Sequence, residues 1–247
     1  MPPRAEKTAD DAVAQPRTDR FEQRLNRLEE MALHGLDLAR DQLLSVTDAI
    51  EHQDIALAQA VVHGDDEIDR LYSDMHAGIL ELLALRAPVA TDLRRAMALF
   101  HVGRTLERMG DQCVNVAKLV PLDGYHPPVH VILLEELGVM GRLVAAEVEQ
   151  AKRAFATRDL ALARDLLLED RDVNELNRRV FHFAWQSGDD AELREWAMHM
   201  ILAARAIERI GDQAIDVGEQ LAFMLTGNFV EFRDSSHPSA SDAADAV

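Results

Sequence analysis

The residues of this sequence best suited to chemistry are oxygen-bearing side chains set one helical turn apart. Glu107, Asp111 and Asn115 stand at i, i+4 and i+8, and Glu208, Asp212 and Asp216 repeat the spacing. On a helix that advances about 100° per residue each trio spans only about 80°, so its members line one face. Val102, Leu106, Met109, Cys113 and Val116 fall on the opposite side of the first stripe. Acceptors at this spacing repel one another, and a face that served only solubility would carry Lys or Arg among them. Such a face can still be the solvated side of an acidic protein, but its repetition weighs against that. Oxygen-only donors on rigid helices suit hard cations such as Mg²⁺, Mn²⁺, Ca²⁺ or oxidised iron.

The segment before each stripe offers matching groups. Asp65 and Asp69 are spaced i, i+4, and Asp170 and Asn174 hold the corresponding places in the second half. Counted from a turn near Ala87, Asp65 lies 22 residues back, Asp69 18 back, Glu107 20 forward and Asp111 24 forward. At a rise of ~1.5 Å per residue, antiparallel helices bring these four to nearly one height. Asp170, 18 residues before Gly188, and Glu208, 20 after it, pass the same test. The first expected metal site is thus Asp65, Asp69, Glu107, Asp111 and Asn115, and the second is Asp170, Asn174, Glu208, Asp212 and Asp216. Each holds four carboxylates and one amide, so the ligand charge is expected to be equal. Gly110 and Gly211 sit inside the stripes, where a mid-helix glycine costs about 1 kcal/mol against alanine. They mark either close helix packing or backbone room beside an ion.

The elements that must position these groups are helices. Ala, Leu, Arg, Glu and Gln dominate, while 12 Gly and 8 Pro punctuate the chain, which predicts an all-α fold. Six helices are expected, over Phe21 to His52, Asp54 to Leu85, Thr91 to Val120, Val129 to Thr157, Asp159 to Gln186 and Asp190 to Leu225. Asp54 and Asp159 are N-cap candidates, and Pro88, Pro121 to Pro128 and Gly188 mark the breaks. The chain also repeats itself. His52 to Asp74 aligns without gaps on Thr157 to Arg179, and Arg104 to Val116 matches Arg205 to Val217 at seven of thirteen positions. The organisation expected is a disordered extension over 1–19, two sequence-related three-helix bundles over 20–124 and 125–230, and a disordered tail over 231–247.

Charge and composition exclude other classes. The 44 acidic residues against 26 basic ones give a net charge of −18, which would repel a nucleic-acid backbone. The first twenty residues lack the apolar core of a signal peptide, and no stretch approaches the ~18 apolar residues of a membrane span. One cysteine, Cys113, rules out an internal disulfide framework and fits a reducing cytoplasm. A carboxylate-bridged metal oxidase or storage bundle would need Glu-x-x-His pairs, and none occurs; Glu30 with His34 and Glu195 with His199 are spaced i, i+4. No phosphate loop or nucleophilic triad is visible, so the chain is not expected to be an enzyme. A metal-free scaffold is the other alternative, docking a partner through Phe181, Phe183, Trp185 and Trp196 or through Phe223, Phe229 and Phe232.

E-R-M-G-D-Q-C-V-N-V-A-K (Glu107 to Lys118) and E-R-I-G-D-Q-A-I-D-V-G-E (Glu208 to Glu219) resemble the twin E-R-[IM]-G-D signature of PhoU proteins. D-D-E-I-D-R-L-Y (Asp65 to Tyr72) and P-V-A-T-D-L-R-R (Pro88 to Arg95) are similar to the segment before it in that family, and the resemblance runs from about Phe21 to Arg233. It implies a regulator of phosphate uptake and of the phosphate-starvation response. Such a regulator acts between the ATPase subunit of the phosphate ABC transporter and a phosphate-sensing histidine kinase, favours repression when phosphate is plentiful, and is often a homodimer. It also implies iron or other multinuclear metal clusters held by the E-x-x-x-D positions and by the aspartates of the adjacent helix. The chain departs from the family pattern at Asn174, where an aspartate is expected, and at Asp216, where an amide is common.

Overall fold

A computed structural model describes residues 9–85, 90–120, 130–186 and 190–232. They form α1 (Ala9–His52), α2 (Ile55–Leu85), α3 (Ala90–Ala117), α4 (Val131–Thr157), α5 (Leu160–Trp185) and α6 (Ala191–Thr226), with no strand among the described residues. From α2 onward each helix starts and stops within three residues of its expected limits. α1 begins at Ala9 rather than Phe21. Residues of adequate helical propensity can prolong a helix already nucleated by a packed segment, so an apolar period is not required there. The expected breaks at Pro88, Pro121 to Pro128 and Gly188 lie outside the described residues, as does the tail beyond residue 232.

The two halves use the same turn chemistry. Gln53 (φ 54°) and Arg158 (φ 60°) hold equivalent left-handed positions after α1 and α4. The next residue then caps the following helix. Asp54 accepts from the Leu57 amide at 3.0 Å, and Asp159 accepts from the amides of Ala161 and Leu162. Asp190 caps α6 in the same way, and Gly227, at φ 79°, ends it.

Within each half every helix packs on the other two, and the halves join through α1 with α4 and α3 with α6. The apolar faces merge into one core that includes Leu36 and Leu43 of α1, Met75 and Ile79 of α2, Leu106 and Met109 of α3, Phe155 of α4 and Ile210 of α6. Burying one such side chain contributes about 1.5–3 kcal/mol. Cys113 belongs to this core and is fully buried, and that burial pushes its thiol pKa up.

The α1/α4 seam carries a ladder of ion pairs: Glu29 with Arg158 at 2.5 Å, Asp37 with Lys152 at 2.6 Å, Arg40 with Glu149, and Glu51 with Arg142 at 2.7 Å. Numbers rise along α1 as they fall along α4, as antiparallel helices require. The aromatic groups divide. Trp196 is buried, Trp185 is 81% exposed and Phe181 is exposed. Phe229 stacks on Phe223 with centroids 4.2 Å apart, and Phe232 packs against the core.

Candidate metal centre

In the first bundle Asp65 of α2 faces α3 at Gly110, where an added Cβ would overlap its Oδ1. The glycine therefore makes room for a carboxylate rather than for a neighbouring backbone. Gln42 of α1 closes the third side: its Nε2 donates to Asp65 Oδ1 and to the Val61 carbonyl, both at 3.3 Å. Its Oε1 is buried without a hydrogen-bond partner. Burial is the largest cause raising the Asp65 pKa, with Asp69, Asp111 and Asp66 adding to it and the Gln42 bond opposing. Glu107 is raised chiefly by burial, then by Asp111 and Asp69, against Arg104 and Arg108. Asp65, Asp69, Glu107 and Asp111 thus share one field of like charge. Asn115, one turn beyond Asp111, is exposed.

The second bundle repeats this arrangement and intensifies it. Asp170 is buried, and Asn174 donates to its Oδ2 at 2.6 Å. Glu208 is buried and forms an ion pair with Arg205. Burial raises its pKa most, Arg205 opposes, Asp212 and Asp170 add, and a bond from Asn177 lowers it. Burial also raises Asp212, against Arg205 and Arg209, and Asp216, against Arg108 of the facing α3.

The group that reasoning from the sequence missed is Glu147, on α4. It aligns with Gln42 at the same offset that pairs His52 with Thr157. It is 1% exposed, and neither carboxylate oxygen has a hydrogen-bond partner. Its Oε2 lies 2.7 Å from where a Cβ on Gly211 would stand, and Asp170 Oδ1 lies 3.5 Å from that same point. Burial pushes its pKa up to about 8, with Asp170, Glu169 and Asp212 adding. A repeat alignment extended back into the first helices pairs the two positions, but only contact with Gly110 and Gly211 shows that they matter. The expectation of equal ligand charge counted two helices per bundle, and the third brings an amide to one cluster and a carboxylate to the other.

Among the described residues no three His, Cys, Asp or Glu side chains are already grouped so as to hold a metal ion. The expected ligands share two helix faces without converging on one point, as mutually repelling carboxylates do.

The protein-family model described as the PhoU domain matches this chain twice, over residues 32–120 and 137–221. The chain belongs to the PhoU family. The two matches coincide with the duplicated halves, each spanning a carboxylate cluster. A phosphate-specific transport system accessory protein PhoU homolog of Caulobacter vibrioides is 33% identical over 192 residues, 77% of this chain and 83% of that protein. The one of Clostridium acetobutylicum is 28% identical over 218 residues, 87% of this chain and 98% of its own. Among solved structures, PhoU from Pseudomonas aeruginosa superposes with a TM-score of 0.75 at 26% identity, covering 84% of this chain and 100% of that one. The phosphate transport system regulatory protein PhoU from Streptococcus pneumoniae shares the fold, with a TM-score of 0.72 at 22% identity. No described helix is long and apolar enough to cross a membrane.

Proposed function

We propose that this PhoU-family protein is a cytoplasmic, non-catalytic regulator of phosphate uptake and of the phosphate-starvation response. It couples the ATPase subunit of a phosphate ABC transporter to a phosphate-sensing histidine kinase and promotes repression when phosphate is plentiful, acting as a homodimer. The observation that carries this reading is the double PhoU-domain match, each copy enclosing the same carboxylate face, together with relatives named as accessory proteins of phosphate-specific transport.

Each bundle holds a hard cation or cation cluster in this reading. Asp65, Asp69, Glu107 and Asp111 serve the first, with Asn115 at its edge, and Asp170, Glu208, Asp212 and Asp216 serve the second, with Asn174. The fit rests on carboxylates clustered against two glycines, half-buried Asp65 at Gly110 and buried Asp170 at Gly211, and on the unpartnered oxygen of Gln42. When bound, the cation neutralises the acidic faces and pins α2 to α3 and α5 to α6, fixing the surface offered to partners.

The test is genetic. Deleting the gene should derepress a phosphate-starvation reporter in phosphate-replete cells, and the intact gene should restore repression. Unchanged reporter output in the deletion strain would refute the regulatory role. Recovery of the transporter ATPase subunit and the kinase with tagged protein tests the proposed partners.

A further inference from the structure

We infer that the two carboxylate clusters are unequal, because Glu147 adds a ligand from α4 that makes the second a three-helix cation site of higher charge, filled before the first. This rests on the reading that the clusters hold metal, and it adds an acceptor which that reading does not include.

The observations are geometric. Glu147 is almost wholly buried, and both its oxygens lack a hydrogen-bond partner. It points at the Gly211 face of α6, where Asp170 of α5 also arrives, so three helices meet there. The charged groups that act on it are Asp170, Glu169 and Asp212, all acidic. A buried carboxylate keeps its charge only beside a compensating one. Since no basic side chain is among the groups acting on this one, the compensation comes from outside the chain as a proton or a cation. A multivalent hard cation satisfies Glu147 and its acidic neighbours together, whereas a proton satisfies Glu147 alone.

In the first bundle the same place is held by Gln42, whose amide already donates to Asp65. A neutral amide oxygen remains there as an acceptor, so that cluster can still be completed, with one charge fewer. Affinity among otherwise similar oxygen sites rises with ligand charge, which favours the second bundle.

The experiment is Mn²⁺ titration of the chelator-stripped full-length chain by calorimetry, with manganese per chain measured after dialysis. Wild type should show two classes of site of unequal affinity. E147Q should weaken the tighter class by about tenfold or more, since loss of even an outer-shell partner costs 10- to 100-fold. Q42E should tighten the weaker class by a similar factor and bring the two classes together. Circular dichroism checks that each variant is folded, and should E147Q fail to fold, the gain in Q42E decides.

Two results would overturn the inference in distinguishable ways. Mn²⁺ uptake lost in D170N but unchanged in E147Q and Q42E would leave the metal reading standing and remove Glu147 from it. Absence of Mn²⁺ uptake by the folded wild type would remove the metal reading and this inference with it.

Discussion

Glu147 Oε2 stands 2.7 Å from the point that a Cβ on Gly211 would occupy. The side chain of one helix therefore depends on the missing side chain of another. The first bundle uses the same device, where Asp65 Oδ1 fills the space beside Gly110. Each glycine of the repeated E-R-x-G-D segment is thus a notch that admits a carboxylate between helices, and this explains why two helix interiors tolerate the least helix-favouring residue after proline.

Filling a notch should separate cation binding from helix propensity. Gly64 of α2 has open space around it, so G64A should raise stability by about 0.5–1 kcal/mol. G110A and G211A should forgo that gain, because the methyl displaces a carboxylate oxygen. G211A should weaken the tighter class of Mn²⁺ sites and G110A the weaker one. Urea midpoints and Mn²⁺ titrations on the three variants check this, and equal stabilisation by all three would refute the notch.

The duplication, the six helices and the acidic stripes were legible because each follows from a local pattern: apolar period, cap residues, or a strong repeat. Glu147 was not. It occupies an inward position of α4 where an acidic residue has no local signature, and its partner position carries the amide of Gln42. The α1/α4 ion-pair ladder was equally hidden, since nothing in helical periodicity says which helices of two bundles meet. The start of α1 at Ala9 was missed for the opposite reason: a prolonged helix without an apolar face leaves no periodic trace.

Stability of the metal-free protein should fall as pH rises. The Glu147 carboxyl titrates near 8 in the fold against an ordinary 4.5. Its folded pKa is raised, so its contribution to stability is fully present below about 4.5 and is lost as pH climbs through about 8. Asp65, Glu107, Glu208, Asp212 and Asp216 shift in the same direction. In chelator, E147Q should lose less stability than wild type between pH 5 and 8, measured as urea midpoints at several pH values. Parallel pH profiles for the two proteins would contradict this.

Cys113 should be inert in the native state. It is fully buried in α3, and burial together with nearby Asp65 disfavours the thiolate, the form that reacts. A thiol-titrating disulfide reagent should find no reactive thiol in the native protein and one per chain in denaturant. Rapid native labelling would mean that the core opens readily around α3.

The α1/α4 seam should be more sensitive to added volume than its ion pairs suggest. A Cβ on Gly141 would overlap the Thr47 side chain, lying 2.5 Å from its Cγ2 and 2.8 Å from its Cβ. Thr47 cannot easily yield. It is buried, stiff at χ1, and its hydroxyl donates to the Leu43 carbonyl at 2.7 Å. G141A should therefore destabilise the protein by about 1–3 kcal/mol through overpacking. Gly138, one turn earlier, first meets the carboxylate end of Glu51, which pairs with the exposed Arg142 and can swing aside. G138A should cost less than 1 kcal/mol, about the scale of an exposed ion pair. Chemical denaturation of both variants decides the matter, and a G138A defect as large as that of G141A would mean that the seam responds to charge rather than to packing.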